Sequence, residues 1–398
     1  MFNRSTFLLK LIAGLAMFSW PAVASAQQYF AYVAAESEDE VAVVSFDGEK
    51  AETVQRIPVG TFVTEIEGPH GLTVSPDGKY WYLSLAHGNP NGWLLKYQTE
   101  DNKLVGSVEL GLFPATMQIS KATGFLYVVN FNLHGKMVPS TVSIVDPVSM
   151  SELTRVETGV MPHGSRISPD GTKHYSLAMM SGELFEIDAM SMQVSRSLNL
   201  DTGKPGKGSM KMKMGGGDSS GMSGDMDGAM TNSGHGMHSE HKEKGGMMMH
   251  SKVKPTWVIP HPTDNKLYVA GNGNAKVYEV DSKKWEISRS FDVSKGPYNV
   301  EVTPDGTKFV VTYKGAASTG VWDIATGTEL AKIDNSQSVP HGIAITPDSR
   351  YAFVSVEGIG GQPGKVDVID LEKLTLAGST DIGKQAGGIV FWKMETAN

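Results

Sequence analysis

The chain has no cysteine. Disulfides therefore contribute nothing to its stability, and the C-x-x-C-H attachment of a c-type haem is excluded. Any metal site has to be built from histidine, methionine, carboxylate or backbone groups. No basic block is present either. The net charge is −8, which argues against a nucleic-acid partner. Long apolar runs are missing beyond the first residues. Arg4 and Lys10 form a positive segment, Leu11 to Trp20 a short apolar one, and Ala24-Ser25-Ala26 a small-residue cleavage site. Residues 1–26 read as a secretory signal cleaved after Ala26. The apolar run is too short to span a bilayer comfortably, and no other stretch would cross one. The expectation is an exported, soluble monomer in a bacterial periplasm, with no membrane span after cleavage.

Amphipathic helical periodicity is also missing. What is present is a repeated phrase. Pro69-His70-Gly71 leads to Ser75-Pro76-Asp77-Gly78, Pro162-His163-Gly164 to Ser168-Pro169-Asp170-Gly171, Pro297-Tyr298-Asn299 to Thr303-Pro304-Asp305-Gly306, and Pro340-His341-Gly342 to Thr346-Pro347-Asp348. Looser copies start at Pro114 and Pro255, and a truncated seventh is Ala386-Gly387-Gly388-Ile389. Copies lie about 45 residues apart, with one double-length gap, which is the signature of stacked supersecondary units.

Within the third unit, His163–Ser168, His174–Met179, Leu184–Asp188 and Val194–Leu200 read as four short strands separated by turn signals. The third strand ends in aspartate at Asp146, Asp188, Asp281, Asp323 and Asp370. Four-stranded units in series predict an all-β, seven-bladed β-propeller over residues 27–398. The last unit retains only Ile389–Trp392. Tyr29–Ala34, Glu40–Phe46 and Thr53–Val59 are expected to supply its other three strands, closing the ring between the two ends of the chain.

The phrase, followed by Tyr-Val-x-Asn (Tyr127-Val128-Val129-Asn130) and by the aspartate-ended strand, resembles the YVTN-repeat family of seven-bladed propellers. The resemblance covers nearly all of the chain beyond residue 26. Related propellers include the haem d1 domain of nitrite reductase and the copper-bearing propeller of nitrous-oxide reductase; sugar-lactone hydrolases lie further off. It implies a fold more than a function, because propellers host many chemistries.

The long gap contains an insertion, residues 203–252, between the third and fourth repeats. It is read as disordered, rich in Gly, Ser, Lys, Met and His. It carries Met210, Met212, Met214, Met222, Met226, Met230, Met237, Met247, Met248 and Met249, ten of the chain's 21 methionines, with His235, His238, His241 and His250. A bland linker has no need of methionine, which is prone to oxidation outside the cell. Thioethers suit Cu(I), and imidazole suits copper in either oxidation state. Zinc would account for the histidines only.

In a propeller the insertion, the phrases and the loops between second and third strands share one face. His70, His163 and His341 come from units one, three and six, a rough triangle about the axis. Three ligands so placed would meet one ion and leave a position open. His87 and His134 are reserves on the same face, with Met137, Met161, Met179 and Met180. His174 and His261 map to the opposite face. Duplication alone would also leave three Pro-His-Gly copies, each histidine merely capping a turn. Lys314 and Glu357 read as ordinary exposed loop charges, the Pro-Asp-Gly aspartates as turn formers, and Trp93, Trp257, Trp285, Trp322 and Trp392 as packing between blades.

Three functions follow. The first is a copper-binding protein that captures the ion with the loop and holds it on histidine, handing it to a periplasmic copper-accepting protein. The second is a redox enzyme with copper or a haem d1-like group, fed by an electron-transfer partner. The third is a metal-free interaction scaffold. A lactone hydrolase lacks any acidic or nucleophilic constellation that can be placed.

Overall fold

The structure, a computed structural model, describes residues 27–62, 64–88, 90–206 and 250–396. Residues 1–26, for which a secretory signal is expected, and residues 207–249 of the insertion lie outside the described residues. So do all of the insertion's methionines and His235, His238 and His241.

Seven antiparallel sheets form a seven-bladed β-propeller. Blades 1 to 6 begin at Pro69, Pro114, Pro162, Pro255, Pro297 and Pro340, and each runs through its strands in chain order. Blade 7 is composite. Its first strand, Ala386–Thr396, pairs with Gln27–Ala35, which pairs with Glu40–Phe46 and then Ala51–Pro58. The expected ring closure is therefore present. First strands of consecutive blades touch all the way round and line the axis.

Alternation along the strands explains the core. Each interface between neighbouring blades holds one apolar cluster, since the two faces of a blade bury alternate side chains. Tyr32, Trp81, Tyr97 and Trp392 fill the seam between blades 7 and 1. Tyr29, Phe46, Tyr351 and Phe353 fill that between blades 6 and 7. Trp257, Trp285 and Trp322 also pack between blades. Trp93 does not: it is 37% exposed, because its strand end stands at the rim.

The Pro-Asp-Gly turns behave as read. Asp77 accepts from Ser75 Oγ and Lys79 N, and Gly78 takes φ +70°. Strand boundaries in the third unit shift by a residue, to Pro162–Ile167, Lys173–Ala178, Glu183–Asp188 and Gln193–Asn199. The ends of the insertion are seated on blade 3. Lys204–Pro205 adds a short fifth strand, Ser251 N donates to Met180 O, and Asp201 receives Lys252 N and Val253 N. The segment thus leaves and rejoins the ring beside the Met179–Met180 loop.

Candidate metal centre

Three backbone devices aim the phrase side chains. Every phrase is preceded by a left-handed residue: Gly68, Phe113, Met161, Lys254, Gly296, Val339 and Gln385 all have positive φ. For Phe113, Met161 and the β-branched Val339 this conformation is strained. Its carbonyl is held by the amide that follows the blade's second strand, as in Ala86 N to Gly68 O and Glu36 N to Gln385 O. Next, each inner strand carries a register shift at the phrase, for instance between Pro69 and Leu72 and between Pro340 and Ile343. Such a bulge re-aims the extra residue. Finally, the glycine after the histidine admits the neighbouring strand: a Cβ on Gly164 would sit 2.3 Å from Thr256 O.

The second phrase position consequently forms a ring of seven about the axis: His70, Ala115, His163, Thr256, Tyr298, His341 and Gly387. His70, His163 and His341 converge. One ring nitrogen of each lies within 4.8 Å of the others. Their ring centroids are 5.9, 5.9 and 6.5 Å apart, and the residues are 7%, 1% and 4% exposed.

The residue after each second strand forms a further ring above the first, and here the structure adds groups that the sequence reading missed. Glu36 of blade 7 is buried. It receives His70 Nδ1 at 3.1 Å and His87 Nε2 at 2.8 Å. Lys314 and Glu357 are not free loop charges. They are paired at 2.6 Å and partly buried, with Glu357 3.8 Å from His341 Nε2 and the ammonium 3.8 Å from the Tyr298 ring centroid. Tyr298, at the histidine position of the fifth phrase, places its hydroxyl 3.0 Å from His163 Nε2. His163 Nδ1 faces Thr256 O at 3.4 Å.

Electrostatics follow from burial. Burial resists ionisation of Glu36, but the adjoining His70 and His87 outweigh it and hold the carboxyl down at about 2. The hydrogen bond that His87 donates to Glu36 raises the His87 imidazole above its ordinary value. Burial, with His70 and Lys314 nearby, pushes His163 down to about 3 and His341 well below its ordinary value. Burial also lowers Lys314, against the pull of Glu357. His163 and His341 are thus neutral imidazoles, and for the Nε2 lone pair of His163 to meet an ion the Tyr298 hydroxyl would have to turn away.

The reserves stand outside the trio. His87 is reached through Glu36, and His134 lies 5.9 Å from His87, ring to ring. Phe113 touches His70, His87 and His134. Met161, Met179 and Met180 join Phe113 and Phe131 in an apolar rim, and Phe131 packs on His163 at 4.7 Å. Met137 is 39% exposed. His250 is described, exposed, at the insertion's return. His174 and His261 lie at the opposite face, as expected; His261 Nε2 meets Gly306 O beside a Pro-Asp-Gly turn.

The donor set suits a borderline ion such as Cu(II) or Zn(II). Three ligands each about 2.0 Å from one ion lie about 3.5 Å apart, so small imidazole rotations would close the 4.8 Å spread. Nδ1 of His341 is buried without a close hydrogen-bond partner. Glu36 on His70 is the outer carboxylate that fixes a ligating imidazole. A tetrapyrrole fits less well, since the three rings are buried and the cavity against them measures only about 30 Å³.

Solved structures share the architecture. Hydrazine synthase of Kuenenia stuttgartiensis aligns over 80% of both chains with a TM-score of 0.57 and 20% identity. A functionally unknown protein from Desulfotomaculum acetoxidans aligns over 91% of this chain and 98% of its own, with a TM-score of 0.65 and 13% identity. The likeness is one of fold. No family model matches the chain. No curated protein matches it either.

Proposed function

We propose that the protein is an exported copper-binding propeller of the YVTN-repeat kind. It captures the ion with the Met/His-rich insertion and retains it at His70, His163 and His341, for storage, delivery or tolerance. The observation that carries this reading is the convergence of three buried imidazoles on the axis, two of them neutral and one braced by a carboxylate. Ancestry by duplication would explain three similar phrases. It would not explain why the positions retaining histidine are those whose nitrogens meet. The described end of the insertion supports the reading, since Ser251 rejoins the ring beside Met180 and the apolar rim.

Flexible capture and rigid retention are separable. Copper counted by mass spectrometry on the protein without its leader is expected to fall by one equivalent in His163→Ala. Deleting residues 207–249 is expected to remove most of the remaining capacity. A wild-type protein that holds no copper after dialysis, or a deletion variant that binds as many Cu(I) equivalents as wild type, would overturn the corresponding half. A redox role at the same ion, with electrons from a soluble partner, is the second reading. It is favoured only by the position that three ligands leave open. A strong visible absorption in protein from its native host would instead point to a haem d1-like group.

A further inference from the structure

The inner strands continue past the histidines, and the next position forms its own ring: Gly71, Thr116, Gly164, Trp257, Asn299, Gly342 and Gly388. Four of these seven lack a side chain. Beside this ring lies a cavity of about 30 Å³, lined by His70 and His341 together with Gly71, Gly342, Gly388 and Asn299. A water needs about 10–15 Å³ on this measure, so one or two fit.

Two polar atoms of the lining residues are orphaned, Nδ1 of His341 and one on Asn299; the others named here are engaged. Thr116 Oγ1 donates to His163 O. Arg166 is paired with Glu301, which also receives Trp257 Nε1. Asn299 is 1% exposed, its backbone amide donates to Thr312 Oγ1, and its side-chain Oδ1 has no partner. A buried carboxamide oxygen without a donor costs about 1–3 kcal/mol. A hydrogen-bond donor placed beside that oxygen, from the cavity that Asn299 lines, would remove the penalty.

We propose that this cavity is the fourth coordination position of the metal centre. It takes a single water, or another ligand of up to about three non-hydrogen atoms, held by the carboxamide of Asn299. The inference rests on the metal reading above. It adds what that reading leaves open: the side from which an exogenous ligand approaches, its size class, and the residue that positions it. Phe113 packs on His70, Phe131 on His163, and the Tyr298 ring on His163 and His341, so the glycine-lined side is the one with room. Sulfate, acetate and larger anions exceed the space, whereas azide matches it.

The test uses the full chain without its leader, loaded with one equivalent of Cu(II) and first checked for stoichiometry. Paramagnetic resonance in water enriched in oxygen-17 is expected to show broadened copper lines in wild type. Azide is expected to change the spectrum, and sulfate to leave it unchanged. Asn299→Leu, which fills the cavity, is expected to keep the copper and lose the broadening. Asn299→Asp, which keeps the acceptor, is expected to retain it. If Asn299→Leu does not fold by near-ultraviolet circular dichroism, Asn299→Ile serves in its place, with the same loss of broadening expected. Copper-loaded wild type without broadening would overturn the proposal while leaving the metal centre standing, as would undiminished broadening in Asn299→Leu. Wild type that takes up no copper would overturn both.

Discussion

His174 offers a test of the electrostatics away from any candidate ligand. It is fully buried between blades 2 and 3, stacked on Tyr127 at 4.9 Å, and neither ring nitrogen has a hydrogen-bond partner. Burial pushes its value from 6.5 down to about 3. The folded protein therefore keeps this ring neutral over a range in which the unfolded chain protonates it. Because the unfolded state binds the extra proton, stability falls as pH drops below 6.5, by about 1.4 kcal/mol per pH unit. Between pH 7.5 and pH 5.0 the loss from this one residue is about 2 kcal/mol. His174→Phe keeps the stack on Tyr127 and abolishes the titration. Urea unfolding of wild type and variant at the two pH values reads the effect directly. The variant's stability is expected to drop by about 2 kcal/mol less than wild type's over that interval, whatever its constant offset at pH 7.5. Equal drops in the two proteins would refute the assignment of a neutral, unsolvated imidazole at this position.

Glu36→Gln removes the carboxylate behind His70 and His87; copper affinity measured by chelator competition is expected to weaken about 10–100-fold, whereas His134→Ala is expected to change it less than threefold. Gly164→Ala forces a Cβ to 2.3 Å from Thr256 O and 2.5 Å from Trp257 Cα, and is expected to cost about 1–3 kcal/mol in thermal or urea unfolding. Removing residues 386–398 strips the inner strand from blade 7 and exposes the edge of Gln27–Ala35; aggregation on size-exclusion chromatography and loss of the near-ultraviolet signal are expected, and a monomer with native signal would refute the closure.

Much of this fold is legible in the primary structure because a propeller repeats its instructions. The phrase, the turn aspartates and the period are each written several times, and even the split blade announces itself as one strand short at one end and three spare at the other. The trio is legible for the same reason: His70, His163 and His341 occupy one position of an aligned phrase. Tyr298 occupies it too, yet nothing in the phrase tells that its hydroxyl stands 3.0 Å from His163. The ring after the second strands is opaque because its members share a place and no chemistry: Glu36, Ala86, Phe131, Met179, Asn272, Lys314 and Glu357. Glu36 is hidden further, since its own phrase begins beside Gln385, at the far end of the chain. Lys314 and Glu357 look like solvated charges until the pairing between blades 5 and 6 brings them together over Tyr298 and His341.

The composite blade also sets an order of events. The carboxylate behind His70 comes from the first strand synthesised, and Gly388, which helps floor the cavity, from the last. A nascent or clipped chain would carry histidines but no enclosure for them. Only the closed ring would bring the imidazoles together in a buried, braced setting. Closing the ring would thereby act as a checkpoint, holding retention of an ion back until translation and folding are done.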